Sequence, residues 1–392
     1  MSLRLISLSR DLSRLVEDGY EVEVRHGYLL IKHVPYLNAR AEIHYGVLVS
    51  ELTLAAEATD KPSTHVAMFV GDHPCNPDGS EMHKIKHQSA RQELGPDLVV
   101  DHSFSSKPAT GYADYYEKMT AYVAIISSAA VAIDPTVTAR TFAPIEAQEE
   151  DDSVFRYIDT ASSRAMINTA TSKLALGKIA IVGLGGTGAY ILDLVAKTPV
   201  TEIHLFDGDK FRQHNAFRSP GAASIDDVRR APYKVRLLYE QYSRMRRGVI
   251  PHQYDVVGSN VAELRGMDFI FLALDDGRAK KDVVTKIEEF GIPFIDVGIG
   301  VFEVNGQLAG LIRTTTSTPT KRDHAIARIS FADGGGNNDY SRNIQIADLN
   351  MLNAALAVIK WKKLSSFYVD LDNEHNSVYV IDGNNLINED RL

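Results

Sequence analysis

The chain has 392 residues, 44% of them hydrophobic and 24% charged, with a formal net charge of −9. That length fits about two or three domains, and the composition excludes wholesale disorder, a collagen-like fibre and a disulfide-stapled miniprotein. The single cysteine, Cys75, excludes an internal disulfide and a multi-cysteine zinc site, and the acidic balance argues against non-specific nucleic-acid binding.

Read from its start, the chain is too charged over its first thirty residues for a secretory signal. No run approaches the ~18–20 apolar residues of a membrane span. A cytoplasmic protein is expected. Gly19–Arg25 alternates at period two and Tyr28–Ile31 follows a His26-Gly27 turn signal, which predicts a hairpin with one buried face. Cys75 stands in the turn-rich stretch Gly71–Gly79 beside Pro74 and Pro77, which reads either as an exposed thiol or as a half-buried structural one. Over Tyr115–Ile133 the residues Met119, Tyr122, Val123, Ile126 and Ala130 share one stripe, predicting a helix. Pro135, Pro144 and the acidic run Glu149–Asp152 read as a solvated linker. The boundary is therefore placed at residue 150, giving an N-terminal α+β domain over 1–150 and a second domain over 151–392.

From Lys178 short apolar strands alternate with helices: Ile179–Val182, Ile203–Phe206, Phe269–Leu274 and Pro293–Val297. Continuous apolar runs of this kind suit a parallel sheet buried on both faces. Gly183-Leu184-Gly185-Gly186-Thr187-Gly188 follows the strand Lys178–Val182 and leads into a helix over Ala189–Ala196. Glycines let a backbone turn sharply against a phosphate, and the helix N-terminus offers it free N–H groups. Asp207, at the end of the next strand, is placed to accept from a ribose hydroxyl pair. An NAD-linked oxidoreductase is the default reading of such a fingerprint. The stretch from Phe206 to Arg218 argues for a triphosphate instead, because it adds Asp209, Asn215 and Arg218, and Lys234 follows. Asp275, at the carboxyl end of Phe269–Leu274, is placed to hold Mg²⁺.

Beyond the strand Gln307–Arg313 runs a hydroxyl-rich stretch, Thr314 to Thr320, then Lys321-Arg322-Asp323-His324. With Gly334-Gly335-Gly336-Asn337-Asn338 behind it, a mobile segment from about Thr314 to Tyr340 is expected. Ile346–Leu364 reads as a helix with Leu349, Leu352, Leu356 and Ile359 in register, and Phe367–Leu371 and Ser377–Ile381 as strands.

The ordered set Gly183–Gly188, Asp207 with Asp209, Asn215 with Arg218, Lys234, and Asp275 with Arg278 resembles the ThiF/MoeB/E1-like adenylyltransferases over about residues 155–365. The resemblance implies an α/β fold, a Rossmann-like adenylation domain with a mostly parallel sheet, and makes the N-terminal α+β domain an accessory. It implies an enzyme that uses ATP and Mg²⁺ to adenylate the C-terminus of a ubiquitin-like protein. In that reading Gly183, Gly185, Gly186 and Gly188 cradle the nucleotide with Asp207 and Asp209, Asp207 taking the ribose. Asn215, Arg218 and Lys234 contact phosphates and Asp275 is the metal ligand. Arg164 or Arg156 is the arginine that such enzymes lend from the segment before the glycine loop, often to the partner subunit of a homodimer. The Thr314–Pro319 and Asn343–Asn350 stretches look like those of E1-like enzymes from bacterial ubiquitination-like operons, which are associated with antiphage defence and include an E2-like partner. The chain departs from the family by lacking a cysteine after Gln307–Arg313 and lacking Cys-x-x-Cys pairs, so no zinc is expected. Three readings follow: Ser317 carries the acyl group as an oxyester with His324 and Asp323 as its base; the enzyme stops at the adenylate; or Cys75 serves. A non-catalytic nucleotide-binding scaffold is a further alternative.

Overall fold

The structure is a computed structural model that describes residues 2–147, 153–275, 277–331 and 344–392. The acidic run 149–152, the glycine cluster 334–338, Tyr340 and Asn343 lie outside the described residues. The chain forms two compact units, Met1–Asn168 and Thr169–Leu392.

In the first unit, helices Ser2–Leu8 and Arg10–Glu17 precede β1 (Val22–Arg25), β2 (Tyr28–Leu37), β3 (Ile43–Glu51), a small ribbon of β4 (Leu54–Ala55) and β5 (Ala58–Thr59), β6 (Val66–Val70), β7 (Lys86–Gly95) and β8 (Leu98–Ser105). The main sheet runs β1-β2-β3-β6-β8-β7 with every pairing antiparallel. The predicted first hairpin is present: Arg25 pairs with Tyr28, and His26 and Gly27 take φ of 50° and 82°, as a two-residue primed turn requires. The helix Tyr115–Ile133 spans the predicted residues, and Asp114 caps it by accepting from the Glu117 N–H at 2.8 Å. Its five stripe residues are all buried against a core that includes Leu12, Ile31, Phe69 and Phe104. Ile145 and Ile158 pack on the same core. Lys118 has no exposed surface; its Nζ donates to Ser50 Oγ and to the Thr64 carbonyl, both at 2.8 Å.

Cys75 is 1% exposed, which corrects the reading of an exposed turn thiol. Its N–H donates to the Leu37 carbonyl and its Sγ to the His73 carbonyl, so the turn folds inward. Burial pushes the thiol up from its ordinary range, the opposite of an activated nucleophile.

The second unit is built on an eight-stranded sheet, β9 (Lys178–Val182), β10 (Glu202–Phe206), β11 (Val249–His252), β12 (Phe269–Leu272), β13 (Phe294–Val304), β14 (Gln307–Ser317), β15 (Asn376–Val380) and β16 (Asn385–Glu389). In the order β11-β10-β9-β12-β13-β14-β15-β16, the first five strands are parallel and the rest antiparallel. This is the mostly parallel Rossmann-like sheet expected, extended by three antiparallel strands. Three expectations need correction. Thr314–Ser317 is not a loop but the buried end of β14, with Ser317 paired to Phe294. β-Branched threonines suit a strand, and their hydroxyls find partners: Thr314 donates to Asn353 Oδ1 at 3.2 Å and Thr315 to Asn376 Oδ1 at 2.8 Å. Phe367–Leu371 is not a strand; Lys360 and Lys363 pair with Asp370, and Val369 and Leu371 stay exposed. The helix Ala347–Leu364 is where it was predicted but turned differently, with Ile359 exposed. Its deepest face is Asn350, Asn353, Ala354, Ala357 and Trp361, while Leu352 and Leu356 pack beside Val301 and Ile312.

Candidate nucleotide site

β9 leads directly into the glycine loop. Gly183 has φ of 87°, a conformation glycine alone adopts freely, and a Cβ there would lie 2.5 Å from the Ala273 carbonyl oxygen. A Cβ at Gly188 would run into the Gly183 carbonyl, and one at Gly186 into the Asn350 amide. Gly185 differs, since the nearest atom to its Cβ position is Gln345 Oε1 at 3.8 Å. The helix opens at Gly186 rather than Ala189 and runs to Val195, with Gly185 as its extended N-cap. Its first N–H groups therefore belong to the glycine loop itself.

Asp207, one residue past β10, is 5% exposed and turned back onto this loop. Its Oδ2 accepts from the Leu184 N–H at 2.7 Å and its Oδ1 from the Asp209 N–H at 2.9 Å. Lys234, also buried, places Nζ 3.3 Å from Asp207 Oδ2 and 2.7 Å from Asp209 Oδ2. The Lys234 N–H also donates to the Asp209 carbonyl, so lysine and acid turn are fastened twice. The two carboxyls respond in opposite directions. Burial raises Asp207 against the opposing pull of Lys234 and the two N–H donors, whereas the Lys234 hydrogen bond lowers the exposed Asp209.

The turn beyond carries the remaining donors. Asn215 is buried, and its Oδ1 accepts from the Arg212 N–H at 2.9 Å, which leaves its amide nitrogen to donate elsewhere. Arg218 is half-buried; burial works against its charge and the Asp275 carboxylate supports it. Among the described residues, Arg218 Nε and Gln345 Oε1 are buried without a hydrogen-bond partner. His214 is held below its ordinary value by burial and then by Arg218, Lys234 and Arg212. Lys234, Arg218 and Arg212 thus stand among Asp207, Asp209 and Asp275, and these cations offer a polyphosphate its donors. Asp275 itself is exposed beyond the end of β12, and Arg278 is exposed in the first turn of Gly277–Glu289.

The other predicted residues lie elsewhere. Ser317 has no exposed surface, and its Oγ donates to Glu288 Oε1 at 2.9 Å. The base read for it is otherwise engaged, since His324 Nε2 donates to the Thr316 carbonyl at 2.9 Å. Arg164, at the end of the helix Thr160–Arg164, and Arg156 are exposed residues of the first unit. Sequence reading missed Thr187 and Asn350, whose side chains join at 2.9 Å, and Asp255, which accepts from the Gly208 N–H at 2.8 Å. The signal for Asn350 was present: asparagines at positions 350 and 353 interrupt an otherwise apolar helix face.

A strand–glycine loop–helix with a buried acid at the next strand end, lined by lysine, arginine and asparagine, defines a nucleotide-binding α/β domain. Its family follows from the sequence match: residues 158–333 match the ThiF family, and the chain carries a ThiF-family domain. Residues 10–160 match a family described as a domain of unknown function, DUF6791. The chain is similar to the crystal structure of E. coli MccB with MccA-N7isoAsn, at 18% identity and a TM-score of 0.47, covering 59% of this chain and 68% of that one. It is also similar to E. coli MccB with ATP, at 19% and 0.44, covering 56% and 65%. Selenomethionine PaaA is similar at 18% and 0.43, covering 57% and 76%. Among the described residues, no helix is long and apolar enough to cross a membrane.

Proposed function

We propose that the second unit is an ATP-dependent adenylyltransferase and that its substrate is the C-terminal carboxylate of a ubiquitin-like protein. The observation that carries this reading is the buried Asp207–Lys234–Asp209 cluster fastened to the glycine loop through the Leu184 N–H, inside a ThiF-family domain. Asp207 Oδ2 takes two donors and Oδ1 one, so one lone pair remains for a ribose hydroxyl. Arg218, the Asn215 amide and the third Lys234 proton supply phosphate donors beyond what a nicotinamide dinucleotide needs.

In the reaction, a carboxylate oxygen attacks the α-phosphorus of ATP. The bond from that phosphorus to the bridging oxygen breaks, and pyrophosphate leaves with the electron pair. The carboxylate is already ionised at neutral pH, so the chain needs no general base; its work is alignment and dispersal of charge. Asp275, an exposed carboxylate beyond the end of β12, would hold Mg²⁺, whose charge would offset that of the departing pyrophosphate. The burial of Ser317 and Cys75 favours the acyl adenylate as this enzyme's own product, passed to a nucleophile on an E2-like partner. Arg164 is our candidate for the arginine completing the phosphate site in a homodimer.

Exchange of labelled pyrophosphate into ATP is the test, run with Mg²⁺ and a ubiquitin-like protein ending in a free glycine. Exchange that appears only with that protein supports the reading. No exchange, together with binding of NAD in preference to ATP, overturns it.

A further inference from the structure

Asn350 and Asn353 sit one turn apart on the helix Ala347–Leu364 and have no exposed surface. Apolar side chains would fill the same space without burying an amide. What an asparagine adds is direction. Asn350 Oδ1 accepts from Thr187 Oγ1 at 2.9 Å, and Asn350 Nδ2 donates to the Arg218 carbonyl at 3.3 Å. Thr187 is the second residue of the helix that opens at Gly186, so one amide grips both the glycine loop and the arginine turn. The amide also occupies the space a Gly186 Cβ would need, and that Cβ would lie 2.9 Å from the same Arg218 carbonyl. Asn353 faces other partners: its Nδ2 donates to the Gly298 carbonyl at 3.0 Å and its Oδ1 accepts from Thr314 Oγ1 at 3.2 Å, on β13 and β14.

We infer that Asn350 is a positioning residue for the nucleotide site, setting the spacing between the helix N-terminus at Gly186–Thr187 and the Arg218 turn. The inference rests on the ATP reading of that site. Two elements that are not neighbours in sequence must hold one triphosphate, and fixed donors bind it more tightly than donors ordered on binding. Asn353 is the matched comparison, equally buried and equally bonded but with both bonds on the hairpin strands.

The experiment uses the full-length chain. Binding of ATP with Mg²⁺ is measured by calorimetry for wild type, Asn350→Ala, Asn350→Asp, Thr187→Val and Asn353→Ala, with each protein's thermal midpoint taken without nucleotide. The two alanine variants are expected to lose similar thermal stability, but only Asn350→Ala to weaken ATP, by ~10-fold or more. In pyrophosphate exchange that loss falls on KM for ATP. Asn350→Asp keeps the bond from Thr187 but buries a carboxylate against the Arg218 carbonyl, so it is expected to weaken ATP at least as much as Asn350→Ala. Thr187→Val removes only the donor to Asn350 Oδ1 and is expected to weaken ATP as well. It serves if the Asn350 variants do not fold, and wild-type affinity there overturns the role. Equal weakening of ATP in both alanine variants, or none in Asn350→Ala, overturns the positioning role. Wild type that binds no ATP overturns the nucleotide reading itself.

Discussion

Replacing Ser317 by alanine separates a structural hydroxyl from an acyl acceptor. For the hydroxyl to meet an adenylate, residues 316–318 must leave the sheet. Besides their antiparallel pairing with Phe294 and Ile295, at least five hydrogen bonds hold them, among them Thr316 N–H to the His375 carbonyl, Thr318 N–H to the Lys321 carbonyl, His324 Nε2 to the Thr316 carbonyl, Arg322 Nε to the Thr318 carbonyl, and Ser317 Oγ to Glu288. At ~1 kcal/mol each, those five alone make opening cost about 5 kcal/mol or more, which exposes the serine in at most roughly one molecule in several thousand. A nucleophile so rarely presented contributes little turnover. Ser317→Ala should therefore leave pyrophosphate exchange unchanged and lower stability by about 1 kcal/mol, read as a thermal midpoint shift of roughly 2–4 °C for a unit of this size. Intact mass spectrometry after incubation with ATP, Mg²⁺ and the ubiquitin-like protein should give no covalent adduct in either protein. A hydroxylamine-cleavable adduct on wild type, lost in Ser317→Ala while exchange persists, would refute the reasoning.

Three further outcomes are expected. Asp275→Asn, at an exposed position, should change stability by less than about 0.5 kcal/mol yet reduce Mg²⁺-dependent exchange ~100-fold or more; retained exchange would remove Asp275 from the site. Lys234→Met strands the buried Asp207 without its buried cation, and urea denaturation should show a loss of about 3 kcal/mol, with nucleotide binding lost as well. Burial pulls Lys118 down to about 8 from an ordinary 10.5. Between those values the unfolded chain binds the extra proton, so wild-type stability rises across that window relative to Lys118→Met. Below pH 8 the cost of charging the buried amine is fully present, about 3 kcal/mol. A stability difference between the two proteins that stays flat from pH 7 to 10 would contradict that assignment.

The legible parts of the fold are those where one physical pattern decides. Tyr115–Ile133 is legible to its ends because its apolar stripe is continuous; the Asp114 cap that fixes its start is seen only in the structure. Lys178–Val182 was read because a parallel strand covered on both faces must be apolar throughout. Thr314–Ser317 was misread because hydroxyl-rich segments are ordinarily solvated. Here Thr314, Thr315 and Ser317 bond to partners on other elements, Asn353, Asn376 and Glu288, and no local pattern announces a partner so far along the chain. The Asn305-Gly306 turn that makes β13 and β14 one hairpin, with φ of 51° and 78°, carries a dipeptide signal that the expectations above do not use. The long helix stands where its leucine spacing puts it but is rotated from that stripe, because Asn350 and Asn353 bond inward and Ile359 faces out.

The candidate site shows how little a glycine fingerprint alone can establish. Gly183, Gly186 and Gly188 are each required by protein atoms already present: the Ala273 carbonyl, the Asn350 amide and the Gly183 carbonyl. A chain that bound no nucleotide but kept this strand–turn–helix packing would need the same three residues. Of the four, Gly185 lacks such a reason among the described residues, where nothing but Gln345 Oε1 comes within 4 Å of its Cβ position. The case for a ligand therefore rests on groups whose arrangement packing does not explain. Lys234 is buried between two acids, Arg218 Nε has no partner among the described residues, and the exposed Asp275 bears electrostatically on that same arginine. Gly185→Ala is then the most discriminating glycine substitution, because it should leave thermal stability intact while hindering the approach of a phosphate to the loop. An unaltered ATP affinity in Gly185→Ala would place the phosphates somewhere other than this turn.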